Sequence, residues 1–222
     1  MISAGNDIVA LNAINITRTK RQKFYSKILS PEEKELYGQP GFTGIPFENF
    51  VWLLWSIKES AYKYLKRHSP GLVFIPVKFI VTELLIPPAY STTNFNGTQA
   101  EGSGFAGVPV LKGKLETGAE TIYSNSLIYH ECIHSVVNSD DNFENINWGI
   151  KLTDSVDANR QSAEVRFFLI DRLKKRLNVT ALTMDKNLMG IPIVLKDGEE
   201  ITSPVSLSHH GQFVGYAFQF KY

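Results

Sequence analysis

Phe50–Arg67, FVWLLWSIKESAYKYLKR, decides how the rest of the chain is read. No proline or glycine interrupts it, and most of its residues favour or tolerate helix. At about 100° per residue, Phe50, Leu54, Ile57, Ala61 and Leu65 fall on one narrow stripe, an ordinary core face. The opposite side groups Trp52, Trp55, Glu59, Lys63 and Lys66. A surface helix normally turns a polar face to water, but this one carries two tryptophans there. The expectation is a central helix packed on both sides, with a carboxylate and an ammonium near the second contact. A charge beneath bulky aromatics is costly unless something pairs with it. Two readings of Glu59 and Lys63 stand. They are an i,i+4 ion pair worth about a few tenths of a kcal/mol, or they face a ligand, a metal for the carboxylate and a phosphate for the lysine.

Working outward, the 222 residues suffice for one good-sized core, or for two small halves sharing one. A hydrophobic share of 43% and a charged share of 20% are those of a soluble globular protein. The net charge of +1 excludes a strong global attraction for nucleic acid. Positive charge is local, in Arg18, Lys20, Arg21, Lys23 and Lys27 and again in Arg172, Lys174, Lys175 and Arg176. Such runs are solvated helix faces or a docking surface for an acidic partner. A single cysteine, Cys132, excludes an intramolecular disulfide and a multi-cysteine metal site. The start, MISAGNDIVAL, lacks the basic and apolar regions of a signal peptide, and no run reaches membrane-spanning length. A cytoplasmic protein, not bound to membrane or nucleic acid, is expected.

In chain order, Ile8–Leu11 reads as a short strand with Gly5-Asn6-Asp7 at its start. Thr17–Ser26 is a basic helical candidate. Ser30, Pro31 and Glu33 give a helix start with N-cap, N1 proline and capping box. After the central helix, Val73–Leu85 alternates as a strand, Pro87 through Phe105 reads as a long loop, and Val108–Leu115, Thr121–Tyr129 and Cys132–Val137 are further strands. Asn138–Asn147 is a polar seam. A second long helix runs from Ala158 to Leu177, followed by a strand around Val179–Met184. A turn at Gly190-Ile191-Pro192 follows. The chain closes with a strand at Val205–Leu207, a tight His209-His210-Gly211 turn and a strand at Phe213–Phe220. The fold expected is α+β, in two pseudosymmetric halves, each a long helix on a small antiparallel sheet. Residues 1–140 form the first half and 141–222 the second.

Three short motifs stand in order: Gly5-x-Asp7-Ile8-Val9, Trp55-x-x-Lys58-Glu59-x-x-x-Lys63, and Ser206-Leu207-Ser208-His209. Together they resemble those of the 4′-phosphopantetheinyl transferases, whose central signature is W-x-x-K-E-S/A-x-x-K. Gly190-x-Pro192 before the Ser-His turn, Phe24-Tyr25-Ser26-Lys27 before an acidic helix start, and Asp157-Ala158-Asn159-Arg160 opening the second long helix extend the similarity. The surfactin-synthetase-activating type carries these segments in another order, so the chain looks like a circular permutation of that two-half fold, with Met1 and Tyr222 close together. The smaller holo-acyl-carrier-protein synthases share the present motif order but are about half as long and trimeric.

The resemblance implies transfer of the 4′-phosphopantetheine arm of coenzyme A to a serine of an apo acyl or peptidyl carrier protein, with coenzyme A in the cleft between the halves. Displacement at a pyrophosphate needs charge stabilised on phosphoryl oxygens, and magnesium suits this. The implied metal ligands are Asp7 and Glu59. Lys63 reaches a phosphate, and Glu59 is ligand or general base. Arg160, Ser208 and His209 match coenzyme A contacts. Many two-half enzymes have a second acid where Val9 stands, so weaker magnesium affinity is expected. An internal pseudodimer favours a monomer, and the carrier's acidic helix is expected on Arg18–Lys27.

His130-Glu131-Cys132-Ile133-His134 is a literal H-E-x-x-H, the motif of a zinc metallopeptidase when helical. Its flanks fit strands at least as well. In a strand the two histidines lie about 13 Å apart, at about 3.3 Å per residue, too far for one tetrahedral ion. An inactive carrier-binding module is a third reading, opposed by the intact Asp7, Glu59 and Lys63.

Overall fold

A computed structural model describes residues 4–42, 44–87, 91–118, 120–201 and 205–219. The chain opens with β1 (Gly5–Ala10), followed by two one-turn helices, α1 (Ile16–Thr19) and α2 (Gln22–Tyr25), in place of the single basic helix expected. The break has a local cause: the Thr19 hydroxyl bonds back to the Asn15 carbonyl at 2.9 Å and also accepts the Trp52 indole N–H at 3.0 Å. A threonine so engaged competes with helix propagation. Helix α3 (Pro31–Tyr37) has the full capping box, Ser30 and Glu33 each satisfying the other's backbone N–H. Helix α4 (Phe47–Lys66) is the expected central helix, and its two ends lie within a few residues of the reading.

The first sheet has the order β1-β6-β5-β4-β2, with β2 (Ile80–Leu85), β4 (Leu111–Glu116), β5 (Thr121–Ile128) and β6 (Cys132–Asn138), antiparallel throughout. Pro76 opens a single 3-10 turn at Pro76–Lys78, so strand pairing starts only at Ile80. Within the expected loop 87–105 lies a strand, β3 (Gln99–Ser103). It carries no apolar alternation, which is why composition reads it as loop. It belongs to the second sheet, ordered β11-β12-β7-β3, with β7 (Ile146–Leu152), β11 (Val205–His210) and β12 (Phe213–Gln219). Helix α5 (Ala158–Leu177) packs on β11 and β12. A three-stranded sheet of β8 (Thr183–Lys186), β9 (Pro192–Lys196) and β10 (Glu199–Ile201) completes the chain. β8 falls a few residues later than expected, and β9 and β10 turn through Asp197-Gly198, both at positive φ, the Asp-Gly signature of a tight hairpin.

The layers run α4, first sheet, second sheet, α5. One core lies between α4 and the first sheet, from Phe50, Leu54, Ile57 and Ala61 to Val9, Ile133 and Val137. A second lies between the sheets, around Ile8, Val136, Trp148 and Ile150. A third lies under α5. The protein is α+β, with one 20-residue helix on each outer side. The expected meeting of Met1 and Tyr222 falls outside the described residues. No helix among the described residues is long and apolar enough to cross a membrane.

Inside the first core sits an ion pair. Lys58 Nζ meets Glu33 Oε2 at 2.6 Å, and both side chains are wholly buried. The same ammonium donates to the Ile28 carbonyl at 2.5 Å. The carboxylate also accepts the Ser30 and Val81 backbone N–H groups, each at 2.8 Å. Burial holds the Lys58 pKa below its usual value despite Glu33. Breaking such a pair leaves an uncompensated charge in the core. Lys58→Met is therefore expected to lower stability by about 3–5 kcal/mol, read as a shifted midpoint in urea unfolding. An unchanged midpoint would show that the pair adds nothing.

Candidate functional site

β1 carries two side chains to opposite sides. Asp7 faces α4 and Asn6 faces the second sheet. The approach of β1 to α4 is close: a Cβ at Gly5 would fall on the Ser60 carbonyl. Ser56 Oγ donates to the Asp7 carbonyl at 3.3 Å, tying helix to strand again. This brings Lys63 Nζ within 2.9 Å of Asp7 Oδ1, 3.2 Å of the Asn6 carbonyl and 3.6 Å of Glu59 Oε1. The first sequence reading of Glu59 and Lys63 is met. They are an i,i+4 pair, and they meet the strand carboxylate.

Glu59 has its pKa raised by burial first and by the Asp7 charge second, against Lys63 and a hydrogen bond from Trp55. Burial alone would lower the Lys63 pKa, but the two carboxylates outweigh it and raise it. One ammonium therefore holds two carboxylates together. Among the described residues no three His, Cys, Asp or Glu side chains gather as a metal site. Asp7 and Glu59 are two convergent hard oxygen donors, which could hold magnesium with phosphate and water completing the shell. Val9 is buried in the core under α4, on the Asp7 face of β1, and offers no third carboxylate.

The Ser-Leu-Ser-His segment is strand, not turn. β11 runs through His210, and Gly211-Gln212 make the turn. Alternation then sorts its side chains. Ser206, Ser208 and His210 face β1, the edge strand of the first sheet. Ser206 Oγ accepts the Asn6 backbone N–H and His210 Nδ1 accepts that of Ala10, each at 2.9 Å. Asn6 Nδ2 reaches Ser208 Oγ at 2.7 Å and His134 Nε2 at 3.1 Å. Ser208 is thus buried and committed to Asn6. His209 points the other way, its Nδ1 at 3.1 Å from Gln161 Oε1 in the first turn of α5. Arg160, next to Gln161, is exposed, and its guanidinium has no hydrogen bond or ion pair among the described residues. The structure therefore unites Asp7, Glu59 and Lys63. It places His209 beside the start of α5 and keeps Ser208 behind β1.

Sequence reading passed over Asn6, Gln161 and His210. Asn6 adjoins the motif aspartate, and the alternation of Ser206, Ser208 and His210 was the signal available for all three bonds. The H-E-x-x-H segment is not helical. His130 and Glu131 lie in the turn between β5 and β6, while His134 is buried on β6 against Asn6. Burial, then the Lys63 charge, pushes the His134 pKa down to about 3, and the zinc-peptidase geometry is absent.

Two cavities flank the triad. One of about 550 Å³ is walled by Arg18, Phe24, Lys27, Trp52, Trp55 and His210. The His210 ring stacks on Trp52 with centroids 6.4 Å apart. The other, of about 240 Å³, lies between Lys63, Lys66 and Arg67 on α4 and the Met189–Pro192 turn.

With that geometry in hand, residues 3–103 match the model of the 4′-phosphopantetheinyl transferase superfamily. That stretch is a little under half of the chain, and over it the chain is similar to this superfamily. The matched stretch contains Asp7, Glu59 and Lys63, while Arg160, Ser208 and His209 lie beyond it. The superfamily's general reaction is transfer of a phosphopantetheine group. No curated protein and no solved structure matches the chain.

Two outcomes follow from the site. Because the folded pKa of Glu59 is raised, its favourable contribution is complete below the ordinary glutamate value of 4.5 and is lost as pH rises through the folded value. Glu59→Gln, which cannot ionise, should raise the Tm of the metal-free protein by about 1–3 °C in mild alkali, the gain vanishing as pH falls toward 4.5. A lower Tm at all pH would contradict this. His210→Phe keeps a ring against Trp52 but leaves the Ala10 N–H without its acceptor. A loss of about 1–3 kcal/mol is expected, with faster hydrogen exchange at the Ala10 amide. Unaltered exchange there would contradict the bond.

Proposed function

We propose that this chain transfers the 4′-phosphopantetheine arm of coenzyme A to a serine hydroxyl of an apo acyl or peptidyl carrier protein, as a holo-acyl-carrier-protein synthase does, releasing adenosine 3′,5′-bisphosphate. The observation that carries the reading is the convergence of Asp7 and Glu59 on Lys63 within the part of the chain that matches the superfamily. Asp7 and Glu59 are the proposed ligands of magnesium, which when bound neutralises charge on the pyrophosphate oxygens. Lys63 is a point charge for the same phosphates. The serine oxygen bonds to the β-phosphorus, and the bridging oxygen leaves with the nucleotide. Glu59, its pKa raised, is the group suited to take the serine proton when it is not held as a ligand.

Coenzyme A is proposed in the cleft between the halves, its diphosphate near Lys63, Lys66 and Arg67. Arg160 and His209, at the start of α5, are proposed for its outer phosphate, aided by the helix N-terminus. Ser208 serves this site through Asn6. The carrier is proposed to dock its acidic helix on the Arg18–Lys27 segment, beside the larger cavity. The division at residue 140, the pseudosymmetry, the circular permutation, the monomeric state and a cytoplasmic location belong to the same proposal.

The test is intact-mass analysis of apo acyl carrier proteins incubated with the protein, coenzyme A and magnesium. A phosphopantetheine mass gain is expected with wild type and is expected to fall by at least roughly a hundredfold in rate with Asp7→Ala or Glu59→Ala. No gain on acyl or peptidyl carriers of several classes would favour the inactive binding module.

A further inference from the structure

The second sheet covers the first only in part. Its strands pack over β1 and β6, around Ala10, Val136, Trp148 and Ala217. Beyond them the same face of β5, β4 and β2 is open, and Leu85 at its rim is 63% exposed. There lies a cavity of about 810 Å³, continued by one of about 300 Å³ that shares Lys112, Asn125, Asp141 and Phe143 with it.

Asn125 is the informative residue. On β5 it stands opposite Lys112 of β4 and Val136 of β6, so all three share this face. It is only 4% exposed, yet its side-chain amide has no hydrogen-bond partner among the described residues. The little of it that is exposed includes the amide, which borders both cavities. Around it stand three charges with no ion pair among the described residues, the ammonium of Lys112 and the carboxylates of Asp141 and Glu144. Phe105 and Phe143, edge to face with centroids 5.8 Å apart, supply an apolar wall. A complementary ligand has one carboxylate, two cationic groups and a short aliphatic chain. It also needs polar atoms for an amide that both donates and accepts.

We propose that this open cavity binds a free basic amino acid, its carboxylate on Lys112 and the Asn125 amide N–H, and its two cationic groups on Asp141 and Glu144. The site is separate from the Asp7–Glu59–Lys63 cluster and does not rest on the transferase reading. It gives the protein a second small-molecule input.

The experiment is a ligand-observed NMR titration of the full chain with L-lysine, cadaverine and L-norleucine at constant ionic strength. Cadaverine lacks the carboxylate and norleucine the second cation. Lysine is expected to bind at least roughly tenfold more tightly than either. Asn125→Leu and Lys112→Met should each weaken lysine by a similar factor, while Asp7→Ala should leave its binding unchanged. Lys112→Met, at an exposed position, carries the test should Asn125→Leu fail to fold. Absence of lysine binding, equal binding of all three compounds, or wild-type affinity in Lys112→Met would each overturn the proposal.

Discussion

The buried Lys58–Glu33 pair fixes how the central helix sits. Four segments meet at it: α4 through Lys58, α3 through Glu33, the chain at Ile28, and β2 through the Val81 N–H. Each polar atom has a partner, and that is the condition under which burying two charges is tolerable. The consequence is rotational. Lys58 points into the core, so Glu59, about 100° further round the helix, must point toward the edge of that core. One turn on, Lys63 follows it. A helix held by apolar contacts alone could rotate slightly at little cost. One pinned by an ammonium cannot rotate without stranding a charge.

β1 passes that constraint to the second sheet. It is six residues long and buried throughout, and it is shared between two cores. Asp7 and Val9 look toward α4, and Asn6 and Ile8 toward the second sheet. Lys63 touches both sets, the Asp7 carboxylate and the Asn6 carbonyl. Any shift of the second sheet relative to the first would reach the ammonium through Asn6, Ser206 and Ser208. The triad is therefore built on β1 and α4 but steadied from the second sheet.

Much of this was legible in the sequence where one physical rule dominated. The central helix announced itself by period, α3 by its capping box and α5 by its apolar members. Asp7, Glu59 and Lys63 were found by motif and are brought together. The losses came where tertiary contacts override local pattern. β3 has no alternation because its outward face is polar and its hydrogen bonds go to β7. The basic helix breaks where Thr19 serves Trp52. The Ser-His pair beside glycine reads as a turn, but it is strand, and alternation sends Ser208 to Asn6. Lys58 was quoted within its motif yet given no role, since nothing local marks a lysine that will be wholly buried. Its partner, Glu33, lies 25 positions away.

The way β11 meets β1 has a further consequence. An edge strand presents unpaired N–H and C=O groups, which invite other chains. Here two of those N–H groups are closed by side chains of the second sheet, without a backbone ladder. Loosening of the second sheet alone would expose β1 as an apolar, sticky edge while the first sheet stayed intact. The species most prone to self-association is then the half-opened molecule and not the unfolded chain, and partial denaturation is the condition under which this protein is hardest to keep in solution.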